Sequence, residues 1–545
     1  MFEYDYVTLN NTQIEARRIL LDQAGWHAYL APMLLLSAVC AYRQLIPISS
    51  QVSTRYEKPS LLAICTRRTS WLLNTTYIPE FGPLHVQLLG LLYTTYLLFR
   101  ITHQTGNDYM HVTKAFGHVA VSQLPMHYLL SIKSPSSPIT KITGLTHERL
   151  NAYHRLFGRL IHALFATHAI LYLRFFVKVD LLSKRIQHWD VRLGIIAFWM
   201  VNLLGVLSIP PVRAKVYHKV FYRSHVVLSA LLLAVVWFHV PYTRIYVGQA
   251  AIAWVLNGVL RKGATQTASV KCEMVGNDLV RIKARVGGKH LYPYVPGVHV
   301  YLNQGGLGPR TPFTVVDARA LEKDETEVRL VAKSSHGPMT SVLAEAAKDS
   351  SVLTLDLEGP YGEAQVYMPE LLQRAKGKHE KFLLVAGGVG ATYALPIYKA
   401  LLNAGADPKD VRVIWVVSKE DDVKWATPFM AIGKDESPIV VHITQPAKSD
   451  TGLYQQVESR KDGRPDFDNY VADFVNERLV HSTRDPKSLE RDPMKADQKL
   501  YGTVTVMVCG PRGLSSAVRR AVGRHVWDYG RDVGWYGEQF GFGGS

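Results

Sequence analysis

The sequence predicts a multi-domain chain: an α-helical transmembrane bundle, then a β-barrel, then an α/β domain. Three observations predict it. Apolar segments close to the ~20 residues that a bilayer needs recur as far as Leu260. Beyond Arg261 the texture changes to short β-like runs punctuated by Gly and Pro, such as "VRIKARV", "HVYLN", "FTVVDA" and "EVRLVAK", which read as a compact barrel. From "KFLLVAGGVG" onward strands alternate with helical patterns, the signature of an α/β domain. The divisions expected are residues 1–107 with two membrane helices, 108–262 as the main helical domain, 263–372 as the barrel and 373–545 as the α/β domain.

Seven spans are expected in the helical part: Trp26–Tyr42, Phe81–Phe99, Ala115–Ile132, Ala152–Phe176, Leu193–Ile209, Phe221–Val240 and Tyr246–Leu260. The third is interrupted by His118, Gln123, Pro125 and His127. No signal peptide with a basic start and a small-residue cleavage site is seen, so the segment from Trp26 is expected to act as an anchor. The formal charge of +17 is spread over loops, without a basic block interleaved with aromatics, which argues against nucleic acid as a partner. Basic loops after the first, third and fifth spans, and "RK" after the last, fall on one side, which the positive-inside rule makes cytoplasmic. The N-terminus is then outside, where Asn10 forms a glycosylation sequon; Asn74 forms another on the cytoplasmic side. The four cysteines, Cys40, Cys65, Cys272 and Cys509, form no CxxC motif, so neither a disulfide scaffold nor a zinc site is expected.

The fourth span begins "YHRLFGRLIHALFATH" and carries His154, His162 and His168. Polar side chains at membrane depth are costly and mark functional sites. His154 and His168 are 14 residues apart, roughly 21 Å along a helix and within ~40° of one face. His162 lies off that face. "SHVVLSALLLAVVWFH" repeats the 14-residue spacing with His225 and His239. Two matching pairs supply four imidazoles, enough for two six-coordinate haems stacked across the bilayer; satisfied core histidines are the simpler alternative.

In "LLVAGGVGATYALP" a strand leads into the turn Gly387-Gly388-Val389-Gly390 and a helix from about Thr392. Glycines let backbone approach phosphates, and a helix N-terminus favours their charge. A second strand, "VRVIWVVSKED", ends at Ser418 and Lys419, where a hydroxyl and a cation suit an adenosine 2′-phosphate and so NADPH; a solvated strand end is the plain alternative. "VTVMVCGP" ends a further strand at Cys509, Gly510 and Pro511.

Taken in order, "LNAYHRLFGRL…H", "SHVVL…H", "PGVHVYL", "TPFTVV", "GPYG", "AGGVGAT", "GRPD", "CGP" and the terminal "EQFGF" resemble the fungal ferric reductase family. That family is related to NADPH oxidases and, in its soluble part, to ferredoxin–NADP reductases. The resemblance runs from about residue 108 to the C-terminus. It implies a transmembrane haem bundle, an FAD-binding barrel and an NADPH-binding α/β domain. His154 and His225 would hold one haem b, and His168 and His239 the other. Pro312, Phe313 and Thr314 resemble the flavin motif, with the hydroxyl near the reactive ring nitrogen. Gly337 and Thr340 would contact the FAD diphosphate. Gly387, Gly388, Gly390 and Thr392 would cradle NADPH, with Cys509, Gly510 and Pro511 near its nicotinamide. Glu538 and Phe542 resemble a tail that covers the flavin ring.

There are two departures. The family usually has His before the flavin motif; Thr311 stands there, preceded by Arg310, whose guanidinium is expected to reach a diphosphate. The terminal aromatic is Phe542 where the family often has Trp. The activity implied is NADPH-dependent reduction of ferric chelate or cupric ion across a membrane, with the plasma membrane the expected location, the C-terminal domains cytoplasmic and iron uptake the role. A superoxide-producing NADPH oxidase shares the same cofactor residues. A membrane transporter with a regulatory nucleotide domain is the alternative from another class.

Overall fold

The computed structural model describes residues 4–45, 60–216, 220–276, 278–288, 294–306, 308, 310–321, 324–334, 337–376, 380–430, 439–445, 460–476 and 503–538. They fall into two compact units, residues 4–45 with 73–263, and residues 60–72 with 264–538.

The first unit is helical. It contains α1 (Asn11–Leu45), and after α2 (Leu61–Leu73), which falls almost wholly in the second unit, it continues with α3 (Leu84–Thr102), α4 (Tyr109–Ser122) and α5 (Leu124–Leu130). Next come α6 (Pro138–Thr143), α7 (His147–Lys178), α8 (Leu182–Arg185), α9 (Trp189–Ser208), α10 (Pro210–Val216), α11 (Tyr222–His239) and α12 (Arg244–Gly263). Asp108 caps α4 by accepting from the His111 amide, and its carboxylate also pairs with Arg17 of α1 at 2.9 Å. Core residues such as Val119, Leu164, Leu232 and Tyr246 are buried between helices. Leu91, Leu92, Trp199 and Phe238 are exposed on outer faces, the distribution expected when lipid rather than water is the surrounding solvent.

Among the described residues, five helices are long and apolar enough to cross a membrane: α1, α3, α7, α9 and α11. The sequence reading of seven is corrected at two of them. The third expected span is divided at Gln123 into α4 and α5, because Pro125 lacks the amide that would continue the ladder. The seventh lies inside α12, which has the length but not the apolarity.

The second unit opens with a closed barrel whose strands are ordered β1-β2-β5-β4-β3-β6. These are β1 (Thr265–Val275), β2 (Leu279–Gly287), β3 (His299–Asn303), β4 (Thr311–Leu321), β5 (Glu325–Lys333) and β6 (Val352–Tyr361). Helix α13 (Pro338–Lys348) precedes β6, and α14 (Ala364–Lys376) follows it. A parallel sheet comes next: β7 (Glu380–Gly387), β8 (Val411–Val417), β9 (Ile439–Ile443), β10 (Arg460–Asp462), β11 (Thr503–Cys509) and β12 (Val533–Glu538), in the order β10-β9-β8-β7-β11-β12. Helices α15 (Ala391–Asn403), α16 (Thr427–Met430), α17 (Phe467–Asn476) and α18 (Arg512–Tyr529) complete it. Strand β7 is buried from Glu380 to Ala386 and apolar from Phe382 onward, as a parallel strand covered on both faces requires.

Candidate functional site

Helices α7 and α11 bring the four histidines together in two pairs. The His154 and His225 rings stand 6.4 Å apart, centre to centre, at 67°. Two imidazole–metal bonds of about 2 Å plus the two half-rings fill that distance. His168 and His239 occupy the corresponding positions of the same two helices, 14 residues further along each. His154 Nδ1 donates to the His127 carbonyl (3.2 Å), His168 Nδ1 to that of Thr113 (2.8 Å) and His239 Nδ1 to that of Asp190 (2.6 Å). A carbonyl only accepts, so the proton is on Nδ1 and each Nε2 keeps its lone pair for a metal. Fixing a ligand ring through its other nitrogen is the usual device of imidazole metal sites. His225 Nδ1 is buried and has no hydrogen-bond partner among the described residues. His162 is engaged elsewhere: its Nε2 lies 3.2 Å from Asn202 Oδ1 of α9. The donor set suits two haems, each with two axial imidazoles.

Glycines admit these rings. A Cβ at Gly117 of α4 would sit 2.6 Å from the His168 ring, and one at Gly194 of α9 would sit 2.7 Å from the ring of His239. His127, treated in the sequence only as an interruption of a span, proves to be part of the site. Its ring stacks on His154 at 4.2 Å and 7°, besides its carbonyl receiving the His154 proton. The signal available was a second histidine, after His118, within one apolar stretch.

In the α/β sheet the strand order reverses between β7 and β11, and ligands bind at the carboxyl ends of strands at such a point. Both glycine turns lie there. Gly388 has φ +54°, and its carbonyl accepts from the indole of buried Trp415 at 2.9 Å, an anchor on β8 that sequence reading missed. A Cβ at Gly390 would be 2.2 Å from the Cys509 carbonyl oxygen, and one at Gly387 would be 2.8 Å from Pro511. A Cβ at Gly510 would reach the Gly387 amide at 3.0 Å. The two turns therefore meet backbone to backbone. Thr392 Oγ1 donates to the Val389 carbonyl at 2.8 Å, closing the first turn of α15.

Cys509 pairs in parallel register with Glu538. Burial, and then the Glu538 carboxylate, push the Cys509 thiol well above its ordinary range, so it stays protonated at neutral pH. The Tyr367 and Tyr393 hydroxyls hydrogen-bond to one another beside this corner. Ser418 and Lys419 follow β8 directly; the Lys419 ammonium lies 3.8 Å from the carboxylate of Asp278. Phe542 lies outside the described residues.

In the barrel, Thr311, Phe313 and Thr314 of β4 are buried and Pro312 is half-buried. Thr314 is paired across the sheet with buried His299 of β3. Gly337, at φ +143°, opens α13, and its carbonyl accepts from Thr340 Oγ1 at 2.9 Å. The Arg310 guanidinium is ion-paired with the fully buried Glu358 carboxylate, which also accepts from Tyr361 at 2.7 Å. Much of the Arg310 charge, expected to face a diphosphate, is thus answered inside the barrel.

Residues 116–236 match the family described as "Ferric reductase like transmembrane component", and residues 379–523 match "Ferric reductase NAD binding domain". These matches support membership of the fungal ferric reductase family. Among its relatives is "Ferric/cupric reductase transmembrane component 2" of Schizosaccharomyces pombe, 21% identical over 76% of this chain and 78% of that one. "Ferric reductase transmembrane component 4" of Saccharomyces cerevisiae is 27% identical over 53% of this chain and 40% of that one. The solved "Ferredoxin reductase in carbazole 1,9a-dioxygenase" covers 51% of this chain and 69% of its own at 18% identity, with a TM-score of 0.35. The chain is a multi-pass membrane protein and an NAD(P)H-dependent oxidoreductase. The first family match contains all four paired histidines except His239, and the second contains both glycine turns.

Proposed function

We propose that this chain reduces ferric chelates, and cupric ion as an alternative acceptor, with electrons taken from cytosolic NADPH and carried across the plasma membrane through FAD and two b-type haems, in support of iron uptake. The observation that supports it most is the doubled facing of imidazoles on α7 and α11, with Nδ1 held by backbone carbonyls.

When bound, the flavin converts two-electron to one-electron chemistry, and the haems pass single electrons onward. His154 with His225, and His168 with His239, would hold the two haems through their imidazole nitrogens, and iron so held would exchange electrons rather than bind a further ligand. Pro312, Phe313 and Thr314 would hold the flavin ring, with Thr311 beside them, and Gly337 and Thr340 would hold its diphosphate, with Arg310 contributing what Glu358 leaves. Gly387, Gly388, Gly390 and Thr392 receive the dinucleotide, and Ser418 and Lys419 its 2′-phosphate. Cys509, Gly510 and Pro511 form the wall beside the nicotinamide, where the neutral thiol offers a weak donor without adding charge. By the resemblance of the terminal sequence to the family, Glu538 and Phe542 would cover the flavin ring.

Membranes containing the protein test this reading. The expected result is a reduced-minus-oxidised spectrum of six-coordinate b-type haem, with NADPH-driven reduction of ferric chelate exceeding that of oxygen. Absence of haem would contradict it in favour of a transporter. Superoxide as the main product would contradict it in favour of an oxidase.

A further inference from the structure

Helix α2 belongs to the loop between two membrane helices, yet it packs on the nucleotide-binding sheet. Its contact face is a helical stripe: Ile64, Arg67, Arg68 and Trp71, at i, i+3, i+4 and i+7. Each has a defined seat on α18 or the turn into β12. Ile64 lies where a Cβ on Gly530 would meet it at 3.0 Å. Arg67 donates to the Gly530 carbonyl at 3.0 Å and to the Asp532 carboxylate at 3.1 Å. Arg68 donates to the carbonyl of Trp527. Two cations thus meet the carbonyl end of α18, where the helix dipole favours them.

Trp71 is held most fully. The Arg519 guanidinium lies 4.3 Å from its ring and 5.3 Å from that of Trp535, and it also donates to the Trp71 carbonyl at 3.2 Å. The two indoles meet edge to face at 5.9 Å. A Cβ on Gly523 would come within 3.1 Å of the Trp71 nitrogen, so the glycine leaves the socket its depth. Trp535 is on β12, which among the described residues pairs only with β11 and ends the sheet. Such an edge needs a cover. Strand alternation sends Trp535 to one face and Tyr536 and Glu538 to the other, where Tyr536 stacks near Tyr367 at 4.3 Å.

We propose that α2 is a strap on the edge strand, and that Trp71 is a positioning residue that sets Glu538 beside Cys509 for hydride transfer. The second half of this rests on the reading of Glu538 given above. The strap also requires the loop between α1 and α3 to share a membrane side with the nucleotide domain.

Two measurements on full-length protein test it, using Trp71→Ala and Trp71→Phe. Hydrogen exchange in Val533–Glu538 should rise in Trp71→Ala and return most of the way in Trp71→Phe, with the barrel unchanged. Anaerobic stopped flow should show NADPH reducing the flavin about tenfold more slowly in Trp71→Ala, as a small misplacement of a reacting group allows, with haem and FAD content as in wild type. Unchanged exchange in β12 would overturn the strap, whatever the enzyme's activity. Faster exchange with a wild-type rate of flavin reduction would overturn the positioning role. A wild-type protein whose flavin NADPH does not reduce would instead overturn the functional reading, and the exchange data would still decide the strap.

Discussion

In the helical unit glycine makes room for side chains, whereas in the α/β sheet it makes room for backbone. Gly117 and Gly194 lie against the rings of His168 and His239, which can turn about their side-chain bonds. Gly390 lies against the carbonyl of Cys509, and Gly510 against the amide of Gly387, which cannot move without the strands that carry them. The difference follows from what each site must hold. An axial ligand needs an imidazole of fixed tautomer between closely packed helices. A dinucleotide needs two strand ends brought together at a point where the sheet changes direction. Damage should therefore be graded by whether the obstructing atom is able to give way.

The largest effect is expected where a ligand is removed. His168→Leu or His239→Leu should bring the haem content to about half, since each haem needs two imidazoles, and transmembrane ferric reduction should disappear. NADPH-driven reduction of the flavin should persist, because the soluble unit folds around its own core. Haem extraction and stopped flow check both points. His162→Leu should leave haem content unchanged, since Asn202 already engages that ring.

Gly390→Ala comes next. Its Cβ would lie 2.2 Å from a backbone oxygen, and overpacking of this kind costs about 1–3 kcal/mol. If that strain falls on the bound state, nucleotide affinity drops roughly tenfold to a hundredfold, with the haem spectrum unaltered. Calorimetric titration measures it. Gly117→Ala sharpens the comparison from the other side. The His168 ring can swing away, but it then gives up its bond to Thr113, worth about 0.5–1.5 kcal/mol. The expected outcome is a protein that keeps both haems, with a changed low-spin resonance spectrum and potential for one of them.

The smallest effect is expected at Lys419. It is mostly exposed and shares its charge with Asp278 at 3.8 Å, and exposed pairs contribute about 0–1 kcal/mol. Lys419→Ala should raise the KM for NADPH only severalfold and leave that for NADH unchanged. Asp278→Ala should strengthen the preference for NADPH.

Much of this was legible in the sequence, but unevenly. The 14-residue repeat of histidines marked α7 and α11, because a helix turns spacing along the chain into a shared face. The strand-turn-helix pattern around Gly388 marked the nucleotide-binding end of β7. The rest depended on contacts between distant segments, which one chain's periodicity does not record. Nothing in "LPMHYLL" shows that His127 would stack on a residue 27 positions away. Nothing around Arg310 shows that Glu358 would take its charge. Hydropathy overcounted the spans because the pair broken at Gln123 reads as one continuous segment in composition, and because the apolar stretch inside α12 falls short once the whole helix is counted. Helix α2 was missed for the opposite reason: its stripe is half cationic, and its partners lie 448 to 463 residues away.

One chain is to carry electrons from a nucleotide on one side of a membrane to a metal ion on the other. Sealed inside-out vesicles test it most directly, with NADPH added outside and a membrane-impermeant ferric chelate enclosed. The account predicts ferrous ion appearing inside the vesicles, dependent on NADPH and lost in His168→Leu. Ferrous ion formed only when chelate and NADPH share a side, at a rate that His168→Leu does not change, would contradict it.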